Sequence, residues 1–479
     1  MRVNDVCDLY TSNMTDSDSR TIGPEGEYLV VRRSDFKSAG RTDVREFFSS
    51  LVRDGWEPDW DLQTGKLVGV SQKHNGDKVK VSTDFGTGTL EINFIPRTTL
   101  HQIDAELNQT LSYVSRKLDE NDLLLLGYGI QPVSPPAKEL VAEKGRYSTL
   151  EQRFWTRERK EIHDGCTDVH FHTINAAQQV HVSLRNAPEA VRATNLLNLA
   201  SPAIIALMGN SPIWLNGQGV KYNDARQIFW DWVVNVPQDT YRKGVPKRLF
   251  SDLQDYVNCQ LGFEPVMTAR VGDEGVSYFE IVGHDSLRHC FERGEIQVVL
   301  PGSVNREVYD KTKDVKAALN PTQRLSTLKP DNIDVFAQDS FSWYEARLKA
   351  EYGTVELRCC SQQPLKEQMV VPAVALGLVE NLDELEEALE GFSTDDARKA
   401  RLLCINYGLA GKYRDEKVLG VAERLVDVAR TGLERRGLGE EVYLEPLDRR
   451  LSEKKNPGDR ILEAYQKRGI AGVVEVAAA

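Results

Sequence analysis

The chain has 479 residues, room for two or three ordinary domains or for one large enzyme domain with an appendage. Apolar residues make up 41% and charged residues 28%, the balance of a globular protein, and a net charge of -12 argues against a general nucleic-acid binder, which needs a basic surface. No stretch of about 18 apolar residues occurs and Met1 to Ser19 are polar, so neither a membrane span nor a signal peptide is expected, and a cytoplasmic protein is.

Residues 1–20 are low in apolar side chains and read as a flexible lead-in. A strand is predicted over Glu27 to Val31, then a helix around Val44 to Asp54 and a tryptophan-rich stretch from Gly55 to Trp60. Short strands follow at Leu67 to Ser71 and Val79 to Ser82, with Asn75-Gly76 between them suited to a tight hairpin. Gly86 to Phe94 reads as another strand, and Thr99 to Glu120 carries Ile103, Leu107, Leu111 and Val114 at helical spacing. Further on, Val180 to Leu184 reads as a strand, Glu189 to Met208 as a long apolar helix, and Ala225 to Val234 as a helix with two tryptophans. Val276 to Phe279, Gln297 to Leu300 and Val355 to Cys359 are expected strands. From about Val371 the pattern is helical only, with an acidic stretch at Leu382 to Gly391 and a basic one at Ala429 to Arg436. Strands and helices without regular βαβ spacing indicate an α+β fold with an antiparallel sheet. The chain thus divides into the lead-in 1–20, a mixed strand-and-helix domain over 21–370, and a helical C-terminal region over 371–479 packed on it.

The seven cysteines lack CxxC spacing, which disfavours a zinc site or a disulfide framework. The adjacent pair Cys359-Cys360, on a strand, places one side chain in the core and one outside.

Chemistry is suggested first by Glu25 and Glu27, which share a strand face because residues i and i+2 do. Two neighbouring carboxylates repel unless a cation lies between them. Hard divalent ions such as Mg²⁺ take oxygen ligands and carry nucleotide phosphates. Glu91 and Glu356 also sit in predicted strands among apolar or small residues, where a carboxylate is costly unless paired or metal-bound. Converging on one face, the four glutamates would form a Mg²⁺ site for ATP. Arg358 shares the face of Glu356 and suits charge on a transferring phosphoryl group. His181, in the strand Gln179 to Ser183, reads either as a half-buried hydrogen-bonded histidine or as a metal or phosphate contact. His170 and His172 would share another strand face, without a third ligand at zinc spacing. No Walker A sequence, GxSxG elbow or strand-linked GxGxxG occurs, so phosphate binding does not come from a P-loop.

Several segments run in order along the chain: Ile22-Gly23-Pro24-Glu25-Gly26-Glu27, Thr99-Leu100-His101-Gln102, Leu126-Gly127-Tyr128-Gly129-Ile130-Gln131-Pro132 and Lys144-Gly145-Arg146-Tyr147. Val180-His181-Val182, Asn210-Ser211-Pro212, Ala225-Arg226-Gln227-Ile228-Phe229-Trp230, Val355-Glu356-Leu357-Arg358 and Gly432-Leu433-Glu434-Arg435-Arg436-Gly437 continue the series. With them the sequence resembles the plant and proteobacterial type of glutamate-cysteine ligase, within the carboxylate-amine ligases that share the glutamine synthetase catalytic fold. The resemblance implies a strongly curved antiparallel sheet forming a funnel, with ATP entering from one side and amino acids from the other. In such enzymes Mg²⁺-bound ATP phosphorylates a carboxylate, and an amine attacks the acyl phosphate to give an amide, ADP and phosphate. By position it implies Glu25, Glu27, Glu91 and Glu356 as Mg²⁺ ligands, Glu27 being part of the catalytic set, and it adds His181, where the glutamine synthetase relatives place a metal-binding histidine. Arg226 would bind the substrate carboxylate or the acyl phosphate, Arg358 the transferring phosphate, and Arg146 with Tyr147 substrate or nucleotide. The expected partners are small molecules, with no nucleic acid and no membrane, in a monomer or homodimer. Gly217-Gln218-Gly219 is a candidate closing loop.

Departures fall beside these residues. The motif Glu-Leu-Ser-Gly-Ala-Pro is here Glu91-Ile92-Asn93-Phe94-Ile95-Pro96, and Glu-Met-Arg-Gly-Ala-Asp is Glu356-Leu357-Arg358-Cys359-Cys360-Ser361. A family arginine aligns near Asn195, with Arg192 close, and the insertion from Asp164 to Thr173 is unfamiliar. The expected product is γ-glutamylcysteine. The alternatives are a ligase using another acid or amine, and a homologue that binds nucleotide or amino acid without catalysis.

Overall fold

The structure, a computed structural model, describes the chain apart from residues 1, 18, 75–76, 155–167, 220–221, 234–241, 274, 284, 301–307, 309–314 and 321–323. The hairpin tip Asn75-Gly76 and part of the insertion beginning at Asp164 lie outside the described residues. In chain order the strands are β1 (Ile22–Arg32), β2 (Glu57–Asp61), β3 (Lys66–His74), β4 (Asp77–Thr83), β5 (Thr89–Asn93), β6 (Leu123–Leu126) and β7 (Ala177–Ser183). They continue as β8 (Lys243–Gly244), β9 (Met267–Gly272), β10 (Gly275–Ile281), β11 (Ile296–Val299), β12 (Ser326–Leu328), β13 (Trp343–Tyr344), β14 (Ala346–Lys349) and β15 (Thr354–Ser361).

Among the described residues nine of these form one antiparallel sheet in the order β14-β15-β7-β1-β5-β4-β3-β2, with β6 also paired to β1. The α+β class and the antiparallel sheet expected from sequence are therefore observed. Register shifts between Asp59 and Trp60 and between Leu357 and Cys360 bend outer strands. The sheet curls around a cavity of about 1000 Å³. A smaller sheet, β12-β11-β10-β9, and the parallel pair β8 and β13 stand at its rim.

The first half of β1 alternates: Ile22, Pro24, Gly26 and Tyr28 are buried, while Gly23, Glu25 and Glu27 face the cavity half-buried. Gly26 is required on the buried side, since a Cβ there would lie 2.6 Å from the Tyr28 ring, whose hydroxyl donates to Gln368 Oε1 at 2.8 Å. The convex side is covered by the helices Ala187–Met208 and Val370–Glu380, which pack on β15 and β14 and on β7 and β1. Ala187–Met208 is long and apolar enough to cross a membrane, yet 89% of its most apolar window is buried, so it is the central core helix.

Beyond Val370 the described chain is helical apart from the two-residue hairpin Lys412–Tyr413 and Glu416–Lys417. Buried charges tie this region to the sheet. Arg20 meets Glu189 at 2.6 Å and Glu380 at 3.0 Å, and Arg436 meets Glu380 at 2.8 Å.

Three expectations are corrected. Residues 1–20 hold a helix, Val3–Thr11, because Val3, Val6, Cys7 and Tyr10 form an apolar stripe that a low overall apolar content concealed. Val6 and Tyr10 are buried, and the Tyr10 hydroxyl donates to Asp339. His170 and His172 lie in the 3-10 helix Asp168–Ile174, not on a strand, so they diverge: His170 pairs with Glu151 at 2.8 Å and His172 lines the cavity. Cys359 and Cys360 are both buried, because this end of β15 is covered on both faces, the second by the helix Ala225–Val233, whose Gln227 donates to the Cys359 carbonyl.

The helices Val370–Glu380 and Val418–Arg436 cross where glycines touch: a Cβ on Gly432 would lie 2.0 Å from the Gly377 carbonyl oxygen. Gly432→Ala should therefore force the pair apart and cost about 1–3 kcal/mol, read as a lowered denaturation midpoint in urea, while Gly437→Ala, with open space around it, should show only the smaller cost of its left-handed backbone.

Candidate active site

Strand register assembles the acidic cluster. Glu25 stands opposite Asn93 on β5 and Gln179 on β7, Glu27 opposite Glu91, and Glu356 opposite both His181 and Arg347. All of these side chains line the cavity. One donor atom each from Glu25, His181 and Glu356 lie within 4.8 Å of one another, a spacing suited to a metal ion. All nine residues singled out from sequence, Glu25, Glu27, Glu91, Arg146, Tyr147, His181, Arg226, Glu356 and Arg358, line this cavity.

Their surroundings differ. Glu27 accepts from the Ala177 N–H and from Gln179 Nε2, both at 2.7 Å. Glu91 accepts from Asn93 Nδ2 at 2.7 Å. Glu356 is clamped by Arg347, at 2.8 and 3.2 Å, and by Arg358, which also donates to Gln179. His181 Nδ1 is 3.0 Å from Thr354 Oγ1, which leaves Nε2 toward the cluster, 3.9 Å from Glu356.

The charges follow from these contacts. Burial, then Glu91, Glu356 and Glu27, push the Glu25 carboxyl well above the usual range. Burial and Asp84 push Glu27 up to about 8. Burial alone would raise Glu91, but Lys144 and Arg146 outweigh it and hold the carboxyl low. Burial is likewise outweighed at Glu356, by Arg347 and Arg358. His181 is pushed down to about 4 by burial, so its imidazole is neutral near pH 7 and has a lone pair to offer. Among the described residues Glu25 and Glu27 thus make no ion pair, unlike Glu91 and Glu356, and Glu27 alone of the two has backbone and amide donors.

Beside Glu91 stand Arg146, whose guanidinium lies 4.0 Å from that carboxylate and 4.6 Å from the Tyr147 ring centre, and Asp84, which accepts from the Tyr147 hydroxyl at 2.9 Å. Aromatic rings continue from Tyr147 through Phe85, His172, Trp230 and Trp343 to Phe341, with successive centres 4.6 to 6.1 Å apart. Arg226, one turn before Trp230, is buried and makes no ion pair among the described residues.

Sequence reasoning did not find Arg347, Lys349, Asp84, Lys144 or Asn175. For β14 a signal exists, since Ala346-Arg347-Leu348-Lys349 alternates strictly, but four residues with two charges do not read as a strand. Three other expectations fall away from the cavity. Asn195 instead holds the Phe250 backbone, Arg192 pairs with Asp383 and Glu386, and Gly217 to Gly219 pack against Tyr465 and Trp214.

The family model described as glutamate-cysteine ligase family 2 matches residues 21–475. The chloroplastic glutamate-cysteine ligase A of Oryza sativa subsp. indica is 24% identical over 454 residues, covering 93% of this chain and 81% of that protein. The chloroplastic glutamate-cysteine ligase of Medicago truncatula is 23% identical over 470 residues, covering 96% and 81%. A crystal structure of glutamate-cysteine ligase from Francisella tularensis in complex with AMP has the same fold, with a TM-score of 0.55 at 13% identity over 97% of this chain and 88% of that one. The expected cytoplasmic location is overturned by these chloroplastic relatives. A polar N-terminus was no ground for it, because import into an organelle needs no apolar anchor. A family model that matches residues 21–475 settles the assignment: the chain belongs to glutamate-cysteine ligase family 2, a family of ATP-dependent ligases.

Proposed function

We propose that the chain joins the γ-carboxylate of glutamate to the amine of cysteine at the expense of ATP, giving γ-glutamylcysteine, ADP and phosphate. The observation that carries this reading is the convergence of Glu25, His181 and Glu356 within 4.8 Å beside the arginines Arg347 and Arg358. Glu25, Glu27, Glu91 and Glu356, with His181, would hold Mg²⁺. The donor set fits a hard cation, and the repulsion raising the Glu25 carboxyl is what such an ion relieves. Bound there, the ion supplies neutralisation of phosphate oxygens.

Arg358, fixed by Glu356 and Gln179, faces the charge on the phosphoryl group as the γ-carboxylate oxygen attacks phosphorus and ADP leaves. Arg226 takes an anionic group of the substrate, having no carboxylate of its own, and Glu27 is held beside it by Ala177 and Gln179. The cysteine amine then attacks the acyl carbon, losing a proton as phosphate departs. Arg146 and Tyr147, beside Glu91, face substrate or nucleotide. We take the partners to be small-molecule substrates, with the chain acting as a monomer or homodimer. A second reading, a larger or more apolar amine, is favoured by the aromatic wall, which offers more surface than the cysteine side chain covers.

An ADP-release assay across a matrix of acids and amines, with mass detection, tests both readings. Glutamate with cysteine should give γ-glutamylcysteine. Turnover only with bulkier amines would move the assignment to the second reading, and no ATP use in folded protein would end both.

Glu27→Gln and Glu25→Gln should each lower ADP release at least about a hundredfold while the circular dichroism spectrum is unchanged. Retained turnover would remove those residues from the metal set.

The pH dependence has a definite sign. The unfolded chain releases the Glu27 proton near 4.5, whereas the metal-free fold keeps it to about 8, so that group's contribution to stability falls as pH rises through this window. The melting temperature without Mg²⁺ should accordingly decline, and Mg²⁺ should raise it more at about pH 8.5 than at about pH 6, with chelator reversing the gain.

A further inference from the structure

Among the described residues the nine-stranded sheet ends at β14, whose one strand neighbour is β15. The hairpin these two strands make carries Arg347, Lys349, Tyr352, Thr354, Glu356 and Arg358 into the cavity wall. Its turn is held from outside the sheet. Ala350 donates its N–H to Asp339 Oδ2 at 2.9 Å, and its carbonyl accepts from Asn13 Nδ2 at 3.0 Å. The same Asn13 amide reaches the Glu351 carbonyl at 3.1 Å, and a Cβ on Gly353, whose φ is +63°, would lie 2.3 Å from the Asn13 carbonyl oxygen. Thr15 then donates to the Leu184 carbonyl at 3.1 Å while the Leu184 N–H donates to the Gly353 carbonyl at 3.0 Å, so that the N-terminal segment, the turn and the end of β7 interlock. Tyr10 completes the strap, its buried hydroxyl donating to the other oxygen of Asp339.

These contacts lie behind two of the site's own bonds. Thr354, next after Gly353, has its hydroxyl 3.0 Å from His181 Nδ1, which leaves Nε2 toward Glu356. Ser340, next after Asp339, accepts at its carbonyl from Arg347 at 2.9 Å, and Arg347 clamps Glu356 at 2.8 Å. The group that bonds a metal ligand from behind fixes its orientation, and a shift of about 1 Å there loosens the site. A turn at the sheet edge has no second strand to resist such a shift, and the strap takes that place. We propose that Tyr10 and Asn13 are positioning residues for the metal site, acting through the β14–β15 turn on His181 and on the pair of Arg347 with Glu356. The inference rests on the ligase reading above and adds to it the part of the chain that holds the metal ligands in register.

The test reads Mn²⁺ binding in the presence of ADP, by calorimetry, beside steady-state kinetics. Tyr10→Phe keeps the ring and loses the hydroxyl, and should raise the Mn²⁺ dissociation constant at least about tenfold. Asn13→Ala should raise it at least about threefold, and because Asn13 is exposed this variant decides the matter if Tyr10→Phe fails to fold. In both, kcat should fall at least about fivefold while KM for glutamate and for cysteine stays within about twofold of wild type. Thr354→Val removes the contact to His181 directly. Adding Tyr10→Phe or Asn13→Ala to it should weaken Mn²⁺ binding by less than the product of the single effects, since both act through one contact, whereas unrelated structural losses would multiply. Folded variants that bind Mn²⁺ as wild type does, effects that multiply with Thr354→Val, or KM rising with kcat unchanged, overturn the inference and leave the ligase reading standing. Wild-type protein that binds no Mn²⁺ overturns the metal set of that reading, and this inference with it.

Discussion

The structure is organised around carboxylates that repel one another on a surface too buried to hold them unaided. Register between β1, β5, β7 and β15 places Glu25, Glu27, Glu91 and Glu356 on one curved face. Nearly every charged neighbour is explained as compensation: Arg347 and Arg358 for Glu356, Lys144 and Arg146 for Glu91, backbone and amide donors for Glu27. Glu25 is left over. That residual imbalance is what the proposed cation would relieve.

Holding such a cluster together demands a stiff support, because the sheet must not relax away from its own repulsion. The support is the double layer of Ala187–Met208 and Val370–Glu380 behind the sheet, with Val418–Arg436 packed glycine-to-glycine against the latter. The buried ions Arg20, Glu189, Glu380 and Arg436 join the first strand to both layers. Buried ion pairs of this kind gain little net stability, since desolvation offsets attraction, but breaking one partner is costly, so they fix where the layers meet. On the other side Tyr10 of the N-terminal helix reaches Asp339, next to the segment that leads into β14 and Arg347.

The departures from the family motifs also find places. Asn93 turns to Glu91 and becomes part of the acidic face. Cys359 and Cys360 lie buried just past Arg358, where this end of β15 is covered on both faces, and neither lines the cavity. The aromatic wall and the strand carboxylates line the same cavity.

Local patterns were enough for much of this. Alternation in β1, helical spacing in Leu100–Asp119 and Ala187–Met208, and the i, i+2 pairs Glu25 with Glu27 and Glu356 with Arg358 are short-range properties that a chain states directly. The resemblance in ordered segments extended them to family and to the set of cavity residues. What stayed hidden depends on partners far away in the chain. The N-terminal helix is ordered by Asp339, β14 exists because β15 lies beside it, and His172 diverges from His170 through a 3-10 helix that no local period announces. Above all, the sequence determined which charges the protein has, and only the tertiary structure decided which of them are paid back by a neighbour. Pairing across a sheet is set by register between strands more than a hundred residues apart, and so the imbalance at Glu25 emerges only once the strands are laid side by side.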